Sequence, residues 1–318
     1  MVDELFGYPL LTSFLNWPVD HQTDGQHKFA SDPDFNSFHA KNLKGYGGSS
    51  GKAVIFAEQY SGGDIGAKVN AAILDGAQHI IISTVSELTT TITLTNDMTL
   101  EFLPGARIYS TTDIPIIDAA AAHRTKIINP RLTGSNTAGY TTNRGITFAG
   151  TTLRPMVVGG KIEQCYRGIQ EFGSDGVMIG TLIDACKVEG FRSYAALSRP
   201  TFIGVKSTGN GYSGFFVYGS TYGLFLNCVA MTNVRNGFHL YTCGNLRLIG
   251  CIAIDNSTAG ANSYDGFHLE AVSVRNQLIS CVGQKVSSAL QRYGFQIVAG
   301  CSKNEIRGGI WYPNQTAS

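Results

Sequence analysis

No stretch of this chain approaches the roughly 20 consecutive apolar residues a membrane-spanning helix needs, so no membrane insertion is expected. Charge is also scarce. Acidic and basic side chains make up 15% of the residues and leave a net charge of +1. That balance supplies no electrostatic footprint for nucleic acid, and no basic patch with interleaved aromatics is present. The seven cysteines include no CxxC pair, which removes a disulfide framework and a zinc-finger framework alike. Reduced thiols fit synthesis in a reducing cytoplasm. The opening Met1-Val2-Asp3-Glu4 is acidic where a secretory leader would be basic.

What the chain has is glycine, 38 residues of it, and a short phrase that recurs. Its copies begin at Gly145, Gly168, Gly190, Gly214, Gly237, Gly266 and Gly294, at successive intervals of 23, 22, 24, 23, 29 and 28 residues. After each glycine an apolar residue comes first and usually another comes third, as in Gly237-Phe238-His239-Leu240. This alternation is a half-buried strand. A second alternation follows in the same period, with Leu224, Leu226 and Cys228 in one copy and Leu246 and Leu248 in the next. Two or three short strands per turn, with no room for a helix, predict an all-β solenoid of roughly 23-residue coils. Leucine-rich repeats have a similar period, but their asparagine-marked leucine consensus is missing. Adjacent coils should lie about 4.8 Å apart, so equivalent residues stack in ladders. Cys228, Cys251 and Cys281 fall 14, 14 and 15 residues after their glycines and read as one buried thiol ladder.

With the first and third places inward, the second and fourth must point out. The second-place ladder is Thr147, Gln170, Arg192, Phe216, His239, His268 and Gln296; the fourth is Ala149, Phe172, Tyr194, Tyr218, Tyr241, Glu270 and Val298. Glu171 and Ser193 interrupt the pattern by occupying inward places.

Residues 1–44 lack the phrase and carry the polar run Asp20 to His27, whose spacing matches no standard metal site and reads as a turn-rich loop. Residues 45–52 read as a Gly/Ser linker, and the domain after it spans 53–318. Asp64 is a good N-cap, and Ile65, Val69, Ala72 and Ile73 form one apolar stripe, predicting a helix over about 65–75 that covers the open end of the first coil. Strands are expected at His79–Ser83, Thr91–Thr95, Met98–Phe102 and Arg107–Tyr109.

Gly63-Asp64-Ile65-Gly66-Ala67-Lys68-Val69-Asn70-Ala71-Ala72-Ile73, then Ile80-Ile81-Ile82, Thr91-Ile92-Thr93-Leu94, Met98-Thr99-Leu100 and Pro104-Gly105-Ala106-Arg107-Ile108 together resemble the entry of the pectate-lyase-like superfamily. The resemblance covers about residues 53–318. It implies a right-handed, single-stranded parallel β-helix with an N-terminal capping helix, the fold of bacteriophage tailspikes and of many glycan-degrading enzymes. Asp24-Gly25-Gln26-His27-Lys28 resembles N-terminal segments of phage tail proteins, which implies attachment to a phage tail or baseplate. The same resemblance implies a homotrimer, a bacterial surface polysaccharide as partner, and a place on the virion tail after synthesis in the host cytoplasm. A free, secreted polysaccharide lyase or glycoside hydrolase of this fold and a spike without chemistry are the alternatives.

In that superfamily glycans lie across an outward strand face. The candidate catalytic residues are His239, His268, Tyr241, Glu270 and Arg192, and the candidate substrate-binding residues are Tyr194, Tyr218, Arg235, Asp265 and Arg292. Histidine titrates near neutrality. A β-eliminating lyase needs a base, a cation for the uronate carboxylate and an acid for the leaving oxygen. His239 or His268, Arg192 or Arg235, and Tyr241 suit those roles, while the tyrosines suit stacking against sugar rings. A solvated face of stacked tyrosines is the plain alternative. Hydrolysis needs two carboxyls at close separation; Asp265 lies five residues before Glu270, roughly 17 Å away if the chain stays extended. Glu189, Asp265 and Glu270 do not converge as calcium ligands would. No metal and no cofactor are expected.

Overall fold

The computed structural model describes residues 54–311 apart from 136, 150, 195–197, 261–262 and 287–290. The expected attachment segment (1–44), the linker (45–52) and the Asp20–His27 run lie outside the described residues, as do parts of the two longer loops before Gly266 and Gly294.

A period of this length closes into a coil only if the chain turns repeatedly, and here it turns at three corners. Residues in left-handed backbone recur from coil to coil at each. Gly180, Gly204, Asn227, Gly250 and Ser280 serve one corner, and Ala185, Gly209, Thr232 and Asp255 the next. Asp175, Arg199, Tyr222, Asn245 and Arg275 serve the third. Arginine and tyrosine enter this region at a cost of about 1–2 kcal/mol. They are held there by the next coil: the Arg199 and Tyr222 amides donate to the Thr221 and Gly244 carbonyls at 2.9 and 3.1 Å.

Between corners run three short strands, for example Leu224–Leu226, Val229–Met231 and Phe238–Tyr241. Stacked coil on coil, they build three wholly parallel sheets of eleven, ten and nine strands among the described residues. The nine-stranded sheet, third in coil order, contains the repeated phrase. The expected early strands are present as His79–Ile82, Ile92–Thr93, Thr99–Phe102 and Arg107–Tyr109.

The phrase glycines are not there for backbone freedom. A Cβ on Gly237 would sit 2.6 Å from the Gly266 carbonyl oxygen and 2.8 Å from the Asn256 amide nitrogen. The chain enters the third sheet where the next coil leaves no space for a side chain.

Inside, like stacks on like. The rings of Phe215, Phe238 and Phe267 lie 4.8 Å apart at interplanar angles of 4° and 3°. Cys228, Cys251 and Cys281 are all fully buried, as the ladder reading requires. A polar ladder fills the corner before the third sheet. Asn210 donates to Asn233 at 2.8 Å, Asn233 to Asn256 at 2.9 Å, and Asn256 to Gln291 at 3.4 Å. Each side chain thus satisfies its neighbour where water does not reach.

The helix Ile65–Leu74 buries Ile65, Gly66, Val69 and Ala72. Its Asn70 closes the first strand of the third sheet in the manner of a missing coil. The Asn70 amide nitrogen donates to the Thr91 carbonyl at 2.8 Å, and its oxygen accepts from the Thr93 amide at 2.9 Å. Edge groups that would otherwise recruit another chain are thereby occupied.

One ladder departs from expectation. Phe172, placed on the outward fourth-place ladder, is fully buried. Its coil turns at Glu171 (φ 53°), three places after the glycine, whereas Thr242 and Ala271 turn five places after theirs. The early corner redirects Phe172 into the core, where its ring meets Phe148 at 5.4 Å.

Two measurements check this account. Gly237→Ala is expected to lower the melting temperature and the soluble yield, while Gly63→Ala, whose Cβ would meet nothing within 4 Å, leaves both unchanged. Asp64 accepts from the Ala67 amide at 2.8 Å and the Thr90 amide at 2.6 Å. Burial alone pushes its carboxyl up, but these amides and Thr89 outweigh it and hold the carboxyl below its ordinary value. A depressed folded value means stabilisation that is present above the unfolded value, about 3.9, and is lost as pH falls through the folded one. Asp64→Ala should therefore weaken local protection by about 0.5–2 kcal/mol at pH 7, read as faster hydrogen exchange at Ala67, Thr89 and Thr90. The difference from wild type should shrink as Asp64 protonates in acid.

Candidate functional site

Three consecutive strands of the third sheet carry the candidate chemistry: Phe215–Tyr218, Phe238–Tyr241 and Phe267–Glu270. Each alternates buried and half-buried residues, so phenylalanine and then valine or leucine point in while the second and fourth places face out. The second-place ladder pairs in register along its whole expected length, from Thr147 through Gln170, Arg192, Phe216, His239 and His268 to Gln296. In the fourth-place ladder Tyr218 pairs with Tyr241 and Tyr241 with Glu270.

His239 and His268 have ring centroids 5.1 Å apart at an interplanar angle of 86°. They are crossed rather than stacked because each answers to a different carboxylate. His268 Nδ1 lies 2.7 Å from Asp265 Oδ2, and His239 Nε2 lies 2.8 Å from Glu270 Oε2. His268 Nε2 is 3.4 Å from that same Glu270 oxygen. A single carboxylate oxygen thus faces two imidazole nitrogens.

Asp265 is fully buried. Arg292 grips it with two nitrogens at 3.0 and 2.9 Å, the Tyr293 amide donates to it at 3.3 Å, and Arg292 also donates to Gln296. Burial pushes the Asp265 carboxyl up, but the bonds from His268 and Arg292 prevail and hold it below the ordinary aspartate value. Asp265 is therefore an ionised acceptor near neutrality, and in its neutral form His268 carries its proton on Nδ1, with the lone pair on Nε2. Burial dominates at His239 and lowers its value despite the opposing pull of Glu270. Near pH 7 His239 is neutral, with Nε2 donating to Glu270.

Beside this cluster runs an aromatic face. Tyr218 stacks on Tyr241 at 5.4 Å and 24°, and Tyr194, 49% exposed, meets Tyr218 at 5.8 Å and Phe216 at 5.3 Å. Phe216 also meets the His239 ring edge-on at 5.0 Å. Arg192 lies 3.8 Å over the Tyr194 ring and 3.9 Å from Glu189, and its buried Nε has no hydrogen-bond partner among the described residues.

His239, His268, Glu270, Tyr241, Tyr218, Tyr194 and Arg192 thus share one outward face. Three expected substrate-binding residues stand differently. Asp265, with no solvent exposure, cannot touch a polymer outside and instead contacts His268. The 17 Å separation expected between Asp265 and Glu270 is also corrected, because both carboxylates contact the one His268 ring: the chain reaches the strand at Phe267 without running straight from Asp265. Arg292 is spent on Asp265. Arg235 lies 3.7 Å over the Tyr212 ring and 5.5 Å from Tyr264, bracing the loops ahead of the strand. Phe216 and Gln296 were legible as ladder members, but their place in the cluster was not recognised, since neither carries charge.

Comparisons add the fold's affiliation. Residues 119–310 match the family described as right handed beta helix region. No curated protein sequence matches the chain. Among solved structures, the chain is similar to tailspike protein 2 of Escherichia coli O157:H7 bacteriophage CAB120, with 12% identity and a TM-score of 0.50 over 80% of this chain and 42% of that one. It is similar also to the Streptococcus pneumoniae surface protein and adhesin PfbA, at 8% identity and TM-score 0.50, covering 80% of this chain and 92% of the other. The Azotobacter vinelandii mannuronan C-5 epimerase AlgE6 A-module aligns at 11% identity and TM-score 0.49 over 82% and 96%. At these identities the likeness is one of fold.

The carboxylate arrangement has a direct readout. In an NMR titration His239 is expected to deprotonate below the ordinary histidine value of about 6.5. Glu270→Gln, which removes the one carboxylate raising it, should move that value lower still; a rise would overturn the assignment.

Proposed function

The chain belongs to the right-handed β-helix family, and on that premise we propose that it is a tailspike-like protein that binds a bacterial surface polysaccharide and depolymerises it by β-elimination. The observation that carries this reading is the continuity of one face: the outward aromatic run of exposed Tyr194 and half-buried Tyr218 and Tyr241 leads straight into the Asp265–His268–Glu270 cluster. Tyrosine rings on an exposed face suit the apolar faces of sugar rings. The partly exposed Arg192 guanidinium beside them suits an acidic sugar.

His268 is the base. Its Nε2 lone pair takes the proton beside a uronate carboxylate, and the imidazolium that forms lies between Asp265 and Glu270, which stabilise it. Asp265 is a positioning residue that holds the tautomer. Tyr241, on the adjacent rung, returns a proton to the leaving oxygen. Two-carboxyl hydrolysis is disfavoured because Asp265 is buried and gripped by Arg292, leaving Glu270 without an accessible partner. The likeness of residues 53–318 to the superfamily that includes tailspikes, and of Asp24–Lys28 to N-terminal segments of phage tail proteins, supports a virion-tail setting, with residues 1–44 as the attachment segment and the spike as a homotrimer.

The test is incubation with uronate-containing capsular polysaccharides, following the ultraviolet absorbance of the unsaturated product. His268→Ala should lower kcat about 10²–10⁴-fold with KM little changed. Tyr218→Ala should chiefly raise KM. Full turnover in His268→Ala, or no unsaturated product from any acidic glycan, overturns the elimination reading.

A further inference from the structure

We propose that His239, His268 and Glu270 form a binding site for a divalent transition-metal ion of the zinc type. The argument goes beyond the glycan reading and does not depend on it. Three donor atoms, one ring nitrogen from each histidine and a Glu270 carboxylate oxygen, all lie within 4.8 Å of one another. His239 Nε2 is 2.8 Å and His268 Nε2 is 3.4 Å from Glu270 Oε2. Metal–ligand bonds of about 2.0–2.2 Å in tetrahedral array put neighbouring donors about 3.3–3.5 Å apart. The His239–Glu270 distance must open by about 0.5 Å on that geometry, and the two imidazole nitrogens, within 4.8 Å of each other, must close toward the same spacing.

The donor geometry suits a cation at this point. Asp265 holds the Nδ1 side of His268, so Nε2 is the nitrogen turned toward the Glu270 oxygen. A metal ion satisfies both and takes the His239 nitrogen as its third ligand, displacing the proton that His239 now shares with Glu270.

The surroundings match what metal sites need. Asp265 behind His268 is the carboxylate that fixes ring orientation and raises ligand basicity, and Arg292 and the Tyr293 amide fix Asp265 in turn. The ligands stand on two adjacent rungs of a parallel sheet, so little reorganisation accompanies binding. Two imidazoles with one carboxylate select zinc, cobalt or iron(II) over calcium or magnesium, which prefer oxygen. Three protein ligands leave a further position for water or a substrate oxygen. His79 and Glu101 supply the contrast: they also pair at 2.8 Å, but among the described residues no second imidazole joins them.

Bound metal and the proposed base use the same His268 lone pair, so a metal-loaded chain cannot abstract a proton through that nitrogen. The two readings are therefore separable. The untagged full-length protein, stripped with chelator, is titrated with Zn²⁺ by calorimetry and with Co²⁺ by its visible absorption. One ion per chain is expected, with a dissociation constant below about 10 µM on the usual scale. His268→Ala and the near-isosteric Glu270→Gln should each weaken binding at least about 100-fold, and Asp265→Asn about 10–100-fold; His79→Ala should change nothing. Absence of stoichiometric binding, or binding undiminished in both His268→Ala and Glu270→Gln, overturns the proposal. Metal binding without elimination in either form retains this site and removes the glycan-cleavage reading. Elimination with no metal binding does the reverse.

Discussion

Everything in this molecule depends on the hydrogen-bonded spacing between one coil and the next. Parallel strands must lie about 4.8 Å apart, and the chain repeats that pairing through all three sheets. Phenylalanine rings at 4.8 Å are at stacking distance, and asparagine side chains one coil apart reach each other at 2.8–2.9 Å. A residue type that satisfies itself at this spacing can be repeated indefinitely. One that does not, such as a side chain at Gly237, collides with the next coil.

The same constraint shapes the outward face. Stacking puts like beside like, which suits tyrosine but strains a pair of histidines. The strain is relieved by crossing the rings and giving each a separate carboxylate. Asp265 serves His268 from within the coil and Glu270 serves His239 from the next one. Because Asp265 is buried and ionised, the cluster is oriented from behind, with the Nδ1 side of His268 held against it.

Much of this was legible. Glycine-led phrases announced the strands, and counting places after each glycine predicted the pairing of His239 with His268 and of Tyr241 with Glu270. The helix and its N-cap were equally plain, because capping is a local interaction. What escaped was the location of the corners. Arg199 and Tyr222 are not turn residues by propensity, yet both sit in left-handed backbone, imposed by the neighbouring coil. The early corner at Glu171 could not be distinguished from a defect in the alternation, so Phe172 was assigned to the wrong side.

The order of side chains along the strands determined which residues share a column, since period-two alternation and a fixed repeat are properties of sequence alone. Tertiary structure decided which atoms of a column meet. The turn from Asp265 into the strand at Phe267 folds a residue expected far away back against His268. Arg292, one coil on, removes that residue from solvent. Such contacts join different coils through rotamers and corners, and linear spacing records neither.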